Sequence, residues 1–349
     1  WLDVGRGKQS ITLNLRKPGG LDAFLKMASK ADVVLEGFRK GVTDKLGIGY
    51  QALKNLNPAI IYGSINCFGQ EGPWQMRPGF EQNAQAATGI QLRNAGVSDP
   101  HQPQRPRPAT FTLNDYGTGI SAAYAVMLAL LDREKTGRGQ KIEAALSYTS
   151  ATITGPHHVD YPGYRRRDIG GPGKRGTDSL NQLYECSDGS WIFLSASNRD
   201  DLVALQSISH FSNIDSQSSS QNIQTIFLRN TSIHWVSLLT SAGVPVVINK
   251  YASDLHKEKG NRTRGIIVER TYGNIPNEGE NIEGSPEWGD VTWSGNPVVM
   301  SECDLVEVEP PSFGGDTTAI LKKFGISDSE IDNMRASGSI PNNLPIDLK

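Results

Sequence analysis

"NPAIIYGSINCFGQ", residues 57–70, decides the fold. Pro58 ends the helical turns that precede it. A continuous apolar run then extends from Ile60 to Ile65 without alternating with polar residues. Such a run is the mark of a strand covered on both faces, as in a parallel sheet. Upstream, Leu21, Phe24, Leu25 and Ala28 share one face of a helix over 21–29, Val33-Val34-Leu35 is a short strand, and Tyr50 to Leu56 is helical again. Alternating helix and strand predicts an α/β domain, and ligands of such sheets bind beyond the carboxyl ends of the strands. Those ends are Leu35-Glu36-Gly37-Phe38-Arg39 and Asn66-Cys67-Phe68-Gly69-Gln70.

Downstream, a Pro- and Gln-rich loop covers 97–110 and a long helix runs from about Tyr116 to Lys135, with Gly137 and Gly139 as its stop. Small residues Gly117, Gly119, Ala122 and Ala123 invite close packing on that helix. "TGRGQKIEAALSYTSA", residues 136–151, then reads as helix end, turn, short strand and new helix. A basic glycine loop follows at 163–176, and "LYECSDGSWIFLSA" is a hairpin about Ser187-Asp188-Gly189-Ser190. Residues 207–222 are polar and read as a surface insertion, Ile233 to Leu239 as helix, and 260–302 as strands and turns. A last helical pair starts at Thr317 and Asp328. The expected organisation is a large α/β domain over 1–178, a smaller α+β domain over 179–290, and a return of 291–349 to the first.

The 349 residues carry 35 Lys+Arg against 37 Asp+Glu, so no long-range field recruits nucleic acid or an anionic membrane. No apolar run approaches the roughly 20 residues that span a bilayer. Cys67, Cys186 and Cys303 form no CxxC pair, which argues against a disulfide framework or structural zinc. The expectation is a soluble protein of the cytoplasm or an organelle interior such as a mitochondrion or peroxisome, with no metal and no covalently bound cofactor. The chain opens without Met on "WLDVGRGKQSITLNL", strand-like from Ile11 to Leu15, which reads as the interior of a domain.

Several segments, in order, resemble the class III coenzyme A transferases, the family of formyl-CoA and carnitine CoA-transferases and 2-methylacyl-CoA racemase. They are "RGKQSITLNL", the stretch "ADVVLEGFRKGVTDKLGIGYQALKNLNPAIIYGSINCFGQEGPWQMRPGFEQNAQAATG", the helix "NDYGTGISAAYAVMLALLDREKTGRGQKI", "AGVPVVIN" and "GGDTTAILKKFGISDSEIDNMRASGSI". The resemblance implies a Rossmann-like large domain with a small α+β domain, in a family of interlocked-ring dimers. It implies acyl-CoA and a carboxylic acid as substrates, and a homodimer or a heterodimer with a related subunit. Family members begin with roughly 40 to 60 further residues, about one βαβ unit.

Carried over residue by residue, Arg39, Leu46, Cys67, Phe68, Gly69 and Arg77 fall where CoA would lie, with Arg6 and Lys8 as looser phosphate candidates. Guanidinium groups suit its phosphates. Gly170, Gly171 and Gly173 fall on the family's active-site loop, and Asn83 and Gln85 read as structural polar groups. The family's transferases attack the thioester with a carboxylate. Counted along the long helix, that position falls on Tyr148, whose phenol, with a pKa of about 10, stays protonated at neutral pH and forms no anhydride. Glu143 lies on the preceding strand, and Asp160 and Asp168 lie downstream. For the racemase pair, Asp115 matches the Asp, but Phe80 stands at the His position, and His157 and His158 lie in another segment. Three readings follow: a CoA-transferase component whose partner supplies the acid, a non-catalytic scaffold, or a catalyst using Tyr148, Asp115 or Asp168.

Overall fold

The computed structural model of the chain describes residues 4–96, 105–164, 170–272, 289–303, 310–311 and 313–341. It divides into two compact units, the first Trp1–Asp168, Arg270–Val291 and Val299–Lys349, the second Ile169–Glu269 and Thr292–Val298.

In the first unit, α1 (Pro18–Ala28) leads to β1 (Val33–Glu36), the single turn α2 (Val42–Lys45), α3 (Tyr50–Leu56) and β2 (Ile61–Asn66). Then come α4 (Glu81–Ala87), α5 (Ile90–Ala95), the long α6 (Leu113–Thr136), β3 (Lys141–Ala145) and α7 (Leu146–Ile153). The sheet is parallel in the order β1-β2-β3, with Val33 opposite Ile61 and Ser64 opposite Glu143. As the central strand, β2 has Ile61, Tyr62 and Ser64 at 2% exposure or less. Its apolar run is therefore the sequence consequence of neighbours on both edges and both faces. Leu53, Ile60 and Tyr62 pack with Ala28 in one core cluster, against which α1 and α3 lay Phe24, Leu25 and Tyr50.

Pro at the start of α1 suits a helix N-terminus, where its missing N–H costs nothing. Helix α6 ends where Gly137 turns left-handed at φ 67° and its N–H closes on the Arg133 carbonyl at 2.7 Å. Near its start, Gly117 lets α7 come close: a Cβ there would stand 2.9 Å from Thr149 Cγ2.

Segment 11–15 is not a strand. Its backbone is satisfied by C-terminal residues instead: Ser10 N–H donates to Asp316 Oδ2, Thr12 N–H to Thr317 Oγ1 and Asn14 N–H to the Ser339 carbonyl. Ile11 and Leu13 pack on a cluster of Ala23 with Leu321, Ile326, Ile331, Met334 and Ile340. These five apolar partners of Ala23 come from and around α13 (Thr317–Lys323) and α14 (Asp328–Ala336), the helical pair expected from sequence. α14 opens with a capping box in which Ser327 and Glu330 exchange bonds.

The second unit holds an antiparallel sheet of β4 (Gly176–Asp178), β5 (Asn181–Glu185), β6 (Trp191–Ser195) and β7 (Val246–Ile248) in chain order. α8 (Arg199–Gln206), α9 (Ser220–Phe227) and α10 (Ser232–Ser241) supply the rest of its core, and the turns α11 (Ala252–Leu255) and α12 (Lys259–Thr263) follow. β8 (Ile267–Tyr272) pairs with β9 (Gly289–Ser294) in a separate two-stranded sheet. Trp235 lies at the centre, wholly buried, its indole N–H donating to the Phe227 carbonyl at 2.8 Å. The polar stretch 207–222 is not a surface insertion throughout. Ile208, Phe211 and Ile214 are buried in this core, because one apolar residue every third position suffices to anchor a short turn of helix.

Candidate active site

The site is built at the carboxyl ends of β1 and β2, where a parallel sheet leaves strand ends open to a ligand. A cavity of about 150 Å³ is lined there by Gly37 and Arg39 after β1, by Ile65, Asn66, Cys67 and Phe68 at the end of β2, and by Gln75, Arg77, Gly79 and Phe80 beyond it. Asp115 from α6 and Leu146 from α7 complete the lining.

Asp115 sits in the first turn of α6 and is held there by a second carboxylate. Glu81, only 4% exposed at the start of α4, reaches across to the open end of α6. Its Oε1 accepts from the backbone and side-chain N–H groups of Asn114, and its Oε2 accepts the Asp115 backbone N–H at 2.8 Å. Gln85 Nε2 donates to the same Oε1 at 2.8 Å, and Gln85 Oε1 takes the Ala109 N–H. Thr112, the residue before α6, makes no side-chain cap, so Glu81 supplies the acceptors that a helix start requires. Burial, and then the Glu81 charge, push the Asp115 carboxyl up from the usual carboxylate value of 3.8. Burial also pushes the neighbouring Cys67 thiol up to about 11, with the charges of Asp115 and Glu81 adding to it. Cys67 is therefore a neutral wall residue at physiological pH, whereas Asp115 contributes an ionisable carboxyl to the lining.

The lining is also cationic and aromatic, with Arg39, Arg77, Phe68 and Phe80. The Arg77 guanidinium stacks 4.9 Å from the Trp74 ring centroid, and Trp74 meets Phe68 edge-on at 5.3 Å. This arrangement fixes a guanidinium against an apolar plate, a surface suited to a phosphate joined to a flat or alkyl moiety.

Of the residues singled out for CoA, Arg39, Cys67, Phe68 and Arg77 thus come together around one cavity. Leu46 caps α2 and Gly69 lies just past Phe68, both outside the described lining. Lys8 bonds back to the Val4 carbonyl. Asn83 and Gln85 are structural, the former accepting the Phe80 N–H at 3.0 Å. His158 bonds Thr154 at 2.8 Å. Gly170, Gly171 and Gly173 belong to the second unit, with Gly171 left-handed at φ 104°, and Asp168 lies outside the described residues. Tyr148 does not line the cavity. It stands behind the bend at Gly69, its Oη 3.4 Å from Glu143 Oε1. Phe80, at the racemase His position, lines the cavity and is 80% exposed.

Sequence reasoning passed over Glu81. An acid at a helix start is ordinarily a surface group answering the helix dipole. Its true partners are 33 and 34 residues further on, a separation that no local pattern reveals.

Residues 1–300 match the family model described as CoA-transferase family III. The chain belongs to that family. It is 35% identical over 196 residues to the succinyl-CoA–L-malate CoA-transferase beta subunit of Chloroflexus aurantiacus, a match covering 56% of this chain and 47% of that subunit. The matched part is thus less than half the length of that relative. It is 27% identical to alpha-methylacyl-CoA racemase of Mus musculus, over 94% of this chain and 84% of that protein. A CAIB/BAIF family protein from Brucella suis shares the fold, with a TM-score of 0.71, 23% identity, and coverage of 92% of this chain and 82% of that one. Among the described residues, no helix is long and apolar enough to cross a membrane, and no cluster of His, Cys, Asp and Glu is placed to hold a metal ion.

Proposed function

We propose that the chain transfers CoA between an acyl-CoA and a carboxylic acid, with Asp115 as the nucleophile. The observation that carries the proposal is the place of Asp115: it is the carboxylate lining a cavity that also presents Arg39, Arg77 and the Phe68 ring. An Asp115 oxygen attacks the thioester carbonyl carbon, the C–S bond breaks and CoA leaves as thiolate, giving a mixed anhydride. The thiolate then attacks the aspartyl carbonyl, releasing the first carboxylate and leaving CoA as an aspartyl thioester. An acceptor carboxylate reverses the two steps. Arg39 and Arg77 take CoA phosphate groups, and Phe68 and Trp74 flank the ligand. On this reading the acid is the chain's own, and a partner is not needed to supply it.

The racemase-like alternative needs a base opposite Asp115, and the phenyl ring of Phe80 carries no exchangeable proton. Transferase chemistry is therefore the better reading of this cavity. A homodimer or a heterodimer with a related subunit goes with it, supported by the apolar side chains Ile120, Tyr124, Met127 and Leu131 that α6 leaves exposed. Incubation with an acyl-CoA, followed by mass spectrometry, tests the proposal. An added acyl or CoA mass is expected on the peptide holding Asp115, sensitive to hydroxylamine and absent from Asp115→Asn. A folded wild-type chain that forms no adduct favours a non-catalytic scaffold. Solvent deuterium entering the carbon next to the thioester favours racemisation.

A further inference from the structure

The bend Cys67-Phe68-Gly69-Gln70 has its front in the cavity and its back against a second group of side chains. On that back, Glu143 from β3 accepts the Gln70 backbone N–H at 2.5 Å, and the Tyr148 phenol reaches the same Oε1 at 3.4 Å. Gly69 passes between them in a left-handed conformation at φ 85°, and a Cβ there would stand 2.0 Å from Tyr148 Oη and 2.9 Å from Glu143 Oε1. Lys40 Nζ holds the Gln70 carbonyl from outside at 2.7 Å. Asn66 Oδ1 takes the Gly69 N–H at 2.6 Å, and the Ser147 N–H donates to the Cys67 carbonyl at 2.9 Å.

We infer that Glu143 and Tyr148 are positioning residues that clamp the 67–70 bend from behind and so set the distance between the thioester carbonyl and Asp115. The inference rests on the transferase reading above. The β3 strand and the first turn of α7 are adjacent in the chain, so one short segment delivers the acceptor, the phenol and the Ser147 N–H to the bend. The carboxylate is a strong acceptor for a backbone N–H, roughly twice a neutral one. The phenol stays a donor: burial raises its pKa, and the Glu143 and Glu71 charges raise it further. Tyr148 is thereby assigned a task that needs a neutral hydroxyl, which an aspartate in its place would oppose. Glu71, Glu143, Lys40 and Lys141 line a cavity of about 270 Å³ beside the clamp, so an aspartate at 148 would add a third carboxylate to the pair Glu71 and Glu143. A misplacement of about 1 Å in a reacting group is enough to slow a reaction on the order of a hundredfold.

The test compares the full chain with Glu143→Ala, Glu143→Gln, Tyr148→Phe and Tyr148→Asp. The readouts are adduct formation at Asp115 and amide hydrogen exchange at Gly69 and Gln70. Glu143→Ala should lower the acylation rate by about tenfold or more, with faster exchange at Gln70, as loss of a charge-assisted bond predicts. Glu143→Gln keeps an oxygen acceptor and should restore most of the rate. Tyr148→Phe should lower the rate less, and Tyr148→Asp more than Tyr148→Phe. Circular dichroism and melting report whether each variant is folded, and exchange at Gln70 reads the clamp even in a slow variant. Wild-type acylation with unchanged rate and exchange in Glu143→Ala overturns the clamp alone. Faster acylation in Tyr148→Asp also overturns it, since it would make position 148 a nucleophile site. A wild-type chain without adduct overturns the transferase reading instead, while protection of the Gln70 amide still reports on the clamp.

Discussion

At the scale of single residues, Asp115 combines two demands that pull against each other. Its ionised form is disfavoured by burial and by Glu81, so its folded pKa is raised. An unfolded chain then loses the Asp115 proton at lower pH than the folded chain does, and stability falls as pH rises from the ordinary carboxylate value through the raised one. Replacing Asp115 by Asn should therefore raise the melting temperature at neutral pH while abolishing adduct formation, a pairing that calorimetry and mass spectrometry check together. The acylation rate should fall as the pH is lowered through the raised pKa, because the protonated acid is not a nucleophile. Gly69 presents a second residue-scale case. Gly69→Ala forces a left-handed Ala, at about 1–2 kcal/mol, and drives its Cβ into Tyr148 Oη. Loss of stability in urea and slower acylation are expected together.

At the scale of elements, α6 depends on a residue outside itself. Glu81 gives its start the acceptors that Thr112 does not. Removing one partner of buried charge-assisted bonds leaves the others unsatisfied, typically at about 1–3 kcal/mol. Glu81→Ala should lower stability by that order in denaturant titrations and slow acylation, since the turn carrying Asp115 loses its tether. Glu81→Gln, which keeps one oxygen acceptor, should lose less. The parallel sheet contributes the frame: β1 and β2 end side by side, and both strand ends supply cavity residues.

For the whole molecule, ligand and partner effects should appear in bulk measurements. CoA bound to the folded chain raises the melting temperature according to RT ln(1 + [L]/Kd), about 2.7 kcal/mol at a hundredfold excess over Kd. Arg77→Ala removes the guanidinium stacked on Trp74 and should weaken that shift. An unchanged shift in Arg77→Ala would place the phosphates elsewhere. The apolar side chains exposed along α6 favour self-association, so light scattering at micromolar concentration should report a dimer, and Ile120→Asp, placed on that face, should shift it toward monomer.

The sequence by itself determined what local patterns encode. The apolar run of β2, the helix α3 at Tyr50–Leu56, the hairpin of β5 and β6, and the pair α13 and α14 were all legible, because periodicity and turn chemistry act over a few residues. The family was legible too, through motif order, as were Arg39, Cys67, Phe68 and Arg77 as a group at the strand ends. Only the tertiary structure decided which carboxylate faces the cavity. The sequence named both Tyr148 and Asp115; of the two, Asp115 lines the cavity and the Tyr148 phenol meets Glu143. Segment 11–15 likewise carries a strand's pattern but finds its hydrogen-bond partners some 300 residues away, at the C-terminal helices. Burial and long-range bonding decide such positions, and neither is written in the spacing of neighbouring residues.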